Sequence, residues 1–260
     1  MRSVLITGGT SGIGAAAARL LAQRGLRVVV ASRREPREPP PQGVRWVAMD
    51  VCDEGSVRAG VAAAGALDAV VCNAGFGVFG SLEEVSLERA RAQFETNVFG
   101  VLAVLRAALP GLRARRGRVV LIGSLAGRAP IPFQAHYSAT KAAVDSIAQA
   151  LRMEVKPFGV RVSLVEPGDI RTAFNDATDW GAPQGSPYEA RLEACRQVIH
   201  QTMAAAPPPE VVAEVILRAL TARRPRVRYQ VGPEAWSVPL GRRLLPDGLA
   251  LELIARHYRI

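Results

Sequence analysis

The chain has 260 residues, 49% of them hydrophobic and 22% charged, which sets aside disordered and fibrous classes and suits one α/β domain with a full core. The formal charge is +10, but 31 of the 33 basic residues are arginines spread along the whole length, which argues for a compositional habit rather than a nucleic-acid partner. No run approaches the ~20 apolar residues of a membrane span, the start leaves no room for a signal peptide, and the three cysteines lack metal-ligand or disulfide spacing, so a cytoplasmic, metal-free domain is expected with those cysteines as buried small hydrophobes.

Short β-branched runs alternate with Ala/Leu/Arg segments of helical period, the pattern of a parallel sheet with crossover helices. Strands are predicted at 3–7, 27–31, 45–49, 69–73, 118–124, 161–166 and 227–231. They imply a single doubly wound α/β domain, with a parallel sheet of about seven strands and helices on both faces. The proline-rich run 35–42 is predicted as a surface loop, since proline removes donors and restricts its predecessor. The longest interval without a strand is 170–209, which contains Trp180, Pro183, Gly185 and Pro187, and long loops in a compact domain are usually functional or mobile.

The first strand runs into TGGTSGIG, comprising Thr7 to Gly14 with Thr10, Ser11 and Ile13 between the glycines, and then into a strong helix former. Gly8 permits a tight turn, Gly12 lets a phosphate approach the backbone, and Gly14 allows close helix packing, while the helix N-terminus offers free N–H groups. With this glycine spacing the sequence begins to resemble the short-chain dehydrogenase/reductase family, a Rossmann fold. At the end of the second strand, where an NAD-binding protein would offer a carboxylate to the ribose, stand Ser32, Arg33 and Arg34. Guanidinium groups there suit a 2′-phosphate and favour NADP(H); the other reading is two more arginines in an arginine-rich chain. Asp50 and Val51 match the family's adenine-contacting pair, although Asp50 also suits a helix cap. Asn73, Ala74 and Gly75 match its Asn-Ala-Gly signature, in which the asparagine ties the sheet together.

Tyr137 and Lys141 stand one helical turn apart, on a shared face, in a chain with four tyrosines and only two lysines. Tyrosine is too weak an acid to serve as a base near neutrality, and an adjacent ammonium is expected to lower its pKa. Ser124, at the end of the fifth predicted strand, has the family spacing to this tyrosine, though isolated serines at strand ends are commonly turn or cap residues. Asn97 matches the family asparagine in a kinked helix that completes a proton relay to the lysine. After the sixth strand, Pro167, Gly168, Ile170 and Thr172 match the turn beside the nicotinamide.

The resemblance spans roughly 4–172, and the segments around Gly75 and Tyr137 are most similar to the 17β-hydroxysteroid and retinol dehydrogenase branch. It implies hydride transfer between NADP(H) and a ketone or secondary alcohol, with Asn97, Ser124, Tyr137 and Lys141 catalytic. A bulky apolar substrate is expected, walled by Phe76, Phe79, Ile131, Phe133, Phe174 and Trp180, each of which is equally readable as core. His136 and His200 have no place in this chemistry. A lid over 170–209 and a basic amphipathic extension over 233–260 are expected; the extension would cover the substrate site, pack on a partner or, last in order, touch a membrane. The family habit is a homodimer or homotetramer, and the face of the Tyr137 helix bearing Ala142, Ile147 and Leu151 would permit it. The competing class is a catalytically silent cofactor sensor or scaffold, which would be expected to have lost Tyr137, Lys141 or Ser124.

Overall fold

The structure is a computed structural model and describes residues 3–36, 38–172, 174 and 185–260. In chain order the elements are β1 (Ser3–Thr7), α1 (Gly12–Gln23), β2 (Arg27–Ser32), β3 (Val44–Ala48), α2 (Glu54–Ala64), β4 (Ala69–Cys72), α3 (Leu87–Phe94) and α4 (Gly100–Arg115). They continue through β5 (Arg118–Ile122), α5 (Ala135–Glu154), β6 (Arg161–Pro167), α6 (Glu189–Ala205), α7 (Glu210–Thr221), β7 (Arg228–Val231), α8 (Ser237–Leu244) and α9 (Asp247–His257). The strands form one seven-stranded sheet in the order β3-β2-β1-β4-β5-β6-β7, with every pair parallel. The order reverses between β1 and β4, which opens a crevice at the carboxyl ends of the strands, where ligands of doubly wound sheets bind.

Successive side chains of a strand point to opposite faces, so both faces of a parallel sheet must be apolar. Leu5, Val29, Val70, Leu121 and Leu164 pack with Val104, Leu112, Val144 and Ala148 on the face covered by α2, α4 and α5. Val4, Ile6, Val28, Val71, Val120 and Val165 pack with Ala17, Leu21, Val212, Ile216 and Leu220 on the face covered by α1 and α7. Asp53 accepts from Ser56 N to cap α2, and Ser86 accepts from Arg89 N to cap α3, leaving fewer orphan donors at those helix starts.

Helices α3 and α4 are joined through a π turn at Glu95–Phe99. Together they span Leu87–Arg115, and by length and composition this is the one helix among the described residues able to cross a membrane. Its inner residues Val101, Val104, Leu105, Ala108 and Leu112 belong to the sheet core instead.

Three expectations change. The strand-free interval 170–209 is in good part α6, whose Leu192, Cys195, Val198 and Ile199 are buried at helical spacing. Cys52 is exposed rather than buried, because it sits in the turn before α2, where its N–H donates to Asp50 Oδ1 at 3.0 Å. The supposed outer face of α5 is divided: Leu151 is in the core, Ile147 packs against it, and Ala142 alone faces outward.

Candidate active site

At the carboxyl edge of the sheet lies a cavity of about 540 Å³. Its lining includes Gly8, Ser11, Gly12 and Ile13 of the first loop, Asn73, Ala74 and Gly75 after β4, and Pro167, Gly168, Ile170 and Thr172 after β6. Gly8 has φ +63°, and a Cβ there would lie 2.9 Å from Ala74 Cα; a Cβ on Gly14 would lie 2.3 Å from Gly8 O. The loop is therefore a cradle that side chains would close, set against the N-terminus of α1. These features fit the pyrophosphate of a dinucleotide. Asn73 fastens the cradle to the sheet: its Nδ2 donates to Thr7 O at 3.1 Å and Gly8 O at 3.0 Å, while Thr7 Oγ1 accepts from the N–H groups of Asn73 and Ala74, each at 3.1 Å.

The remaining cofactor candidates lie at the same sheet edge but outside the cavity wall. Thr10 is exposed on the loop, and Gly14 is buried under it. Ser32 closes β2, where its hydroxyl donates to Arg34 O at 2.7 Å and accepts from Trp46 Nε1 at 2.9 Å. Arg33 and Arg34 are exposed and form no ion pair among the described residues. Asp50 is not the cap of α2, a position Asp53 takes; Asp50 holds its own turn instead. Val51 lies where a Cβ on Gly100 would come within 2.8 Å of it, at the end of the π turn.

The same cavity is lined by Ser124, Tyr137 and Lys141. β5 ends at Ile122, two residues earlier than expected, and Ser124 is extended, its Oγ accepting from Ala126 N at 3.1 Å. The same hydroxyl lies near enough to Tyr137 to draw its pKa downward. Lys141 lies below the tyrosine, with Nζ 5.6 Å from its ring centre and donating to Ile122 O at 3.0 Å. Phe174 packs on the tyrosine with ring centres 5.6 Å apart.

Burial dominates the titration of both groups. It lowers Lys141 to about 8 and raises Tyr137 to about 12, where the Ser124 hydroxyl pulls down and the Asp169 charge pushes further up. The expected lowering of Tyr137 by an ammonium is not found, because the desolvation of the phenolate outweighs the contributions that pull the other way. Asn97, 1% exposed, lies inside the π turn, so the helix is distorted where a kink was expected. Its Nδ2 donates to Phe76 O at 3.0 Å and Thr140 Oγ1 at 3.1 Å, and its Oδ1 accepts from Phe76 N at 3.0 Å. A Cβ on Gly75 would meet Asn97 Oδ1 at 3.0 Å and Lys141 Nζ at 3.9 Å, so these groups flank the same glycine.

Of the anticipated apolar wall, Phe76, Ile131 and Phe174 line the cavity. Phe79 and Phe133 instead pack around α6, and Trp180 lies outside the described residues. Sequence reasoning missed Asp169, Glu234, Val238, Leu253, Ile254, His257 and Tyr258, all of which line the cavity. Five of them come from α8, α9 and the residue after α9, so the inner face of the C-terminal segment forms one wall.

A family model described as short chain dehydrogenase matches residues 2–181. The chain is 35% identical over 237 residues to 3-ketodihydrosphingosine reductase of Bacteroides thetaiotaomicron, covering 88% of this chain and 87% of that protein. It is also 35% identical over 249 residues to estradiol 17-beta-dehydrogenase 1 of Rattus norvegicus, covering 87% and 72% respectively. A short chain dehydrogenase of Burkholderia cenocepacia, solved in complex with NADP, superposes with a TM-score of 0.77 at 26% identity over 97% of this chain and 98% of that one. The glycine cradle, the Ser-Tyr-Lys group and these matches together establish that the chain belongs to the short-chain dehydrogenase/reductase family, with steroid dehydrogenases among its relatives.

Proposed function

We propose that this oxidoreductase uses NADP(H) and interconverts a bulky, apolar ketone and its secondary alcohol. The observation that carries the reading is the half-buried tyrosine, set with Ser124 and Lys141 in the wall of a cavity that also contains the dinucleotide cradle. A nicotinamide dinucleotide held by Gly8, Gly12, Asn73 and Thr172 would supply or accept the hydride. Arg33 and Arg34 favour the 2′-phosphorylated form, and the NADP bound in the Burkholderia relative is consistent with that choice.

In reduction, Ser124 Oγ–H holds the substrate oxygen and Tyr137 Oη–H gives it a proton. Burial keeps Tyr137 protonated at neutral pH, so it is ready as an acid. Lys141 then stabilises the tyrosinate, and Asn97 fixes the Phe76 peptide beside it. The apolar substrate reading rests on Phe76, Ile131, Phe174, Leu253 and Ile254 in the cavity wall, and on the sphinganine- and steroid-related names of the relatives. The described part of 170–209, through Phe174, Ile199 and Met203, and the extension 233–260 act as the covers of that pocket, while 175–184 lie outside the described residues. A homo-oligomer is proposed from the family habit, with Phe99 and Met153, both exposed, as apolar candidates for its interface.

The test is fluorescence titration with NADPH and NADH, followed by turnover with a panel of steroid and long-chain ketones. NADPH should bind more tightly and be oxidised by an apolar ketone, and Tyr137→Phe should lower kcat by about a thousandfold or more while NADPH affinity holds. Binding without turnover of any substrate would favour the silent sensor, and retained activity in Tyr137→Phe would remove the assigned proton donor.

A further inference from the structure

A second cavity lies away from the site just described. It has a volume of about 830 Å³, within the range of small-molecule sites, and is lined by Arg116, Arg118, Arg152, Lys156, Arg161, Arg223 and Arg224. Arg118 begins β5 and Arg161 begins β6, so the cavity opens at the amino edge of the sheet, opposite the dinucleotide cradle. Its other lining residues are Met153, Gly159, Val160 and Pro225, with no carboxylate.

None of these seven cations forms an ion pair among the described residues, whereas Arg19, Arg115, Arg196 and Arg228 elsewhere do. Their contacts are with carbonyls: Arg118 Nη1 donates to Ala219 O at 3.0 Å, Arg152 to Val162 O, and Arg161 to Arg223 O. A carbonyl fixes a guanidinium in place but does not neutralise it, and the ends of α4, α5 and α7 add only partial negative charge. Burial and the neighbouring Arg161 both lower Arg118, the response of a cation crowded by another. The arrangement is therefore concave and uncompensated, with three of its cations held by carbonyls. Guanidinium groups in such a setting recognise phosphate oxygens bidentately.

We infer that this cavity is a second, non-catalytic anion site, which takes the di- or triphosphate group of a small molecule. An extended polyanion is a poorer match, because the cations surround one concavity instead of following a stripe along the surface.

The site is tested by calorimetric titration of inorganic triphosphate, orthophosphate and ATP into the full chain. Arg116 and Arg224 are exposed, and neither side chain makes a hydrogen bond or ion pair among the described residues, so R116Q/R224Q spares the carbonyl contacts. Triphosphate should bind the unaltered chain saturably and more tightly than orthophosphate, and about tenfold more weakly in R116Q/R224Q. R33A/R34A, at the opposite edge, should leave that binding unchanged. Tighter binding of ATP than of triphosphate would assign a nucleotide, and equal binding a bare polyphosphate. Absence of saturable binding, equal affinity for orthophosphate, or loss in R33A/R34A instead of R116Q/R224Q would overturn the inference, as would an oligonucleotide that displaces triphosphate at lower concentration than ATP. Because the readout is binding heat, carbonyl reduction is not involved, and failure here would leave the oxidoreductase reading standing.

Discussion

Lys141 and Tyr137 show how much of this site's chemistry comes from burial. The folded pKa of Lys141, about 8, lies below its ordinary 10.5, so the folded state holds its proton less firmly than the unfolded chain does. Below pH 8 the full cost of burying the charge is present, about 3 kcal/mol. As pH rises from 8 towards 10.5 the folded state sheds the proton first and that cost fades. Lys141→Met should therefore be more stable than the parent at pH 7, with the gap narrowing by pH 9.5 in urea denaturation; a gap independent of pH would show that the ammonium is not strained in the fold. Cofactor choice is also decided by single residues. Ser32→Asp with Arg33→Ala places a carboxylate where the 2′-phosphate is assigned and should shift the ratio of kcat/KM for NADPH over NADH by about a hundredfold or more towards NADH. An unchanged ratio would displace the phosphate site from the end of β2.

Elements, rather than residues, hold the active-site edge together. Glu166 on β6 is 1% exposed and is joined to Arg228 on β7 at 3.0 Å, while Arg228 also reaches Asp145 on α5 at 2.6 Å. Arg128 lies 4.0 Å away on the other side. Three elements are thus tied by one guanidinium, at the end of β6 that leads into Gly168 and Thr172. Arg228→Met should cost about 3 kcal/mol or more, because it leaves a buried carboxylate with one distant partner, and adding Glu166→Gln should recover much of the loss. Equal denaturation midpoints for the two variants would show that Glu166 tolerates isolation. Helix α6 illustrates a signal that was present but outweighed: Leu192, Cys195 and Ile199 recur at helical spacing, yet the surrounding prolines made 170–209 read as loop. The face of α5 erred the other way, since apolar residues at helical spacing do not say whether they meet the protein's own sheet or a partner.

On the scale of the whole molecule, the C-terminal segment returns to the first βα units to complete the cavity. Ile254 lies on its wall, so Ile254→Asp should raise KM for an apolar ketone by about tenfold and leave NADPH affinity in fluorescence titration as it was. Weaker NADPH binding in that variant would move the α9 wall from the substrate half of the cavity to the cofactor half. The sequence by itself determined the alternating strands, the sheet's composition on both faces, the glycine cradle and the Tyr137-Lys141 pair, because each is written in local periodicity or in residues a few positions apart, while Ser124 was legible only through the family resemblance. Tertiary structure alone decided which of Phe76, Phe79, Phe133 and Phe174 face the cavity, and that burial outweighs the neighbouring charge at Tyr137. It also gathered arginines from three separate stretches, 116–118, 152–161 and 223–224, around a single concavity. These features depend on distances between segments remote in the chain, and a parallel sheet creates those distances only when its crossovers bring the strand ends together.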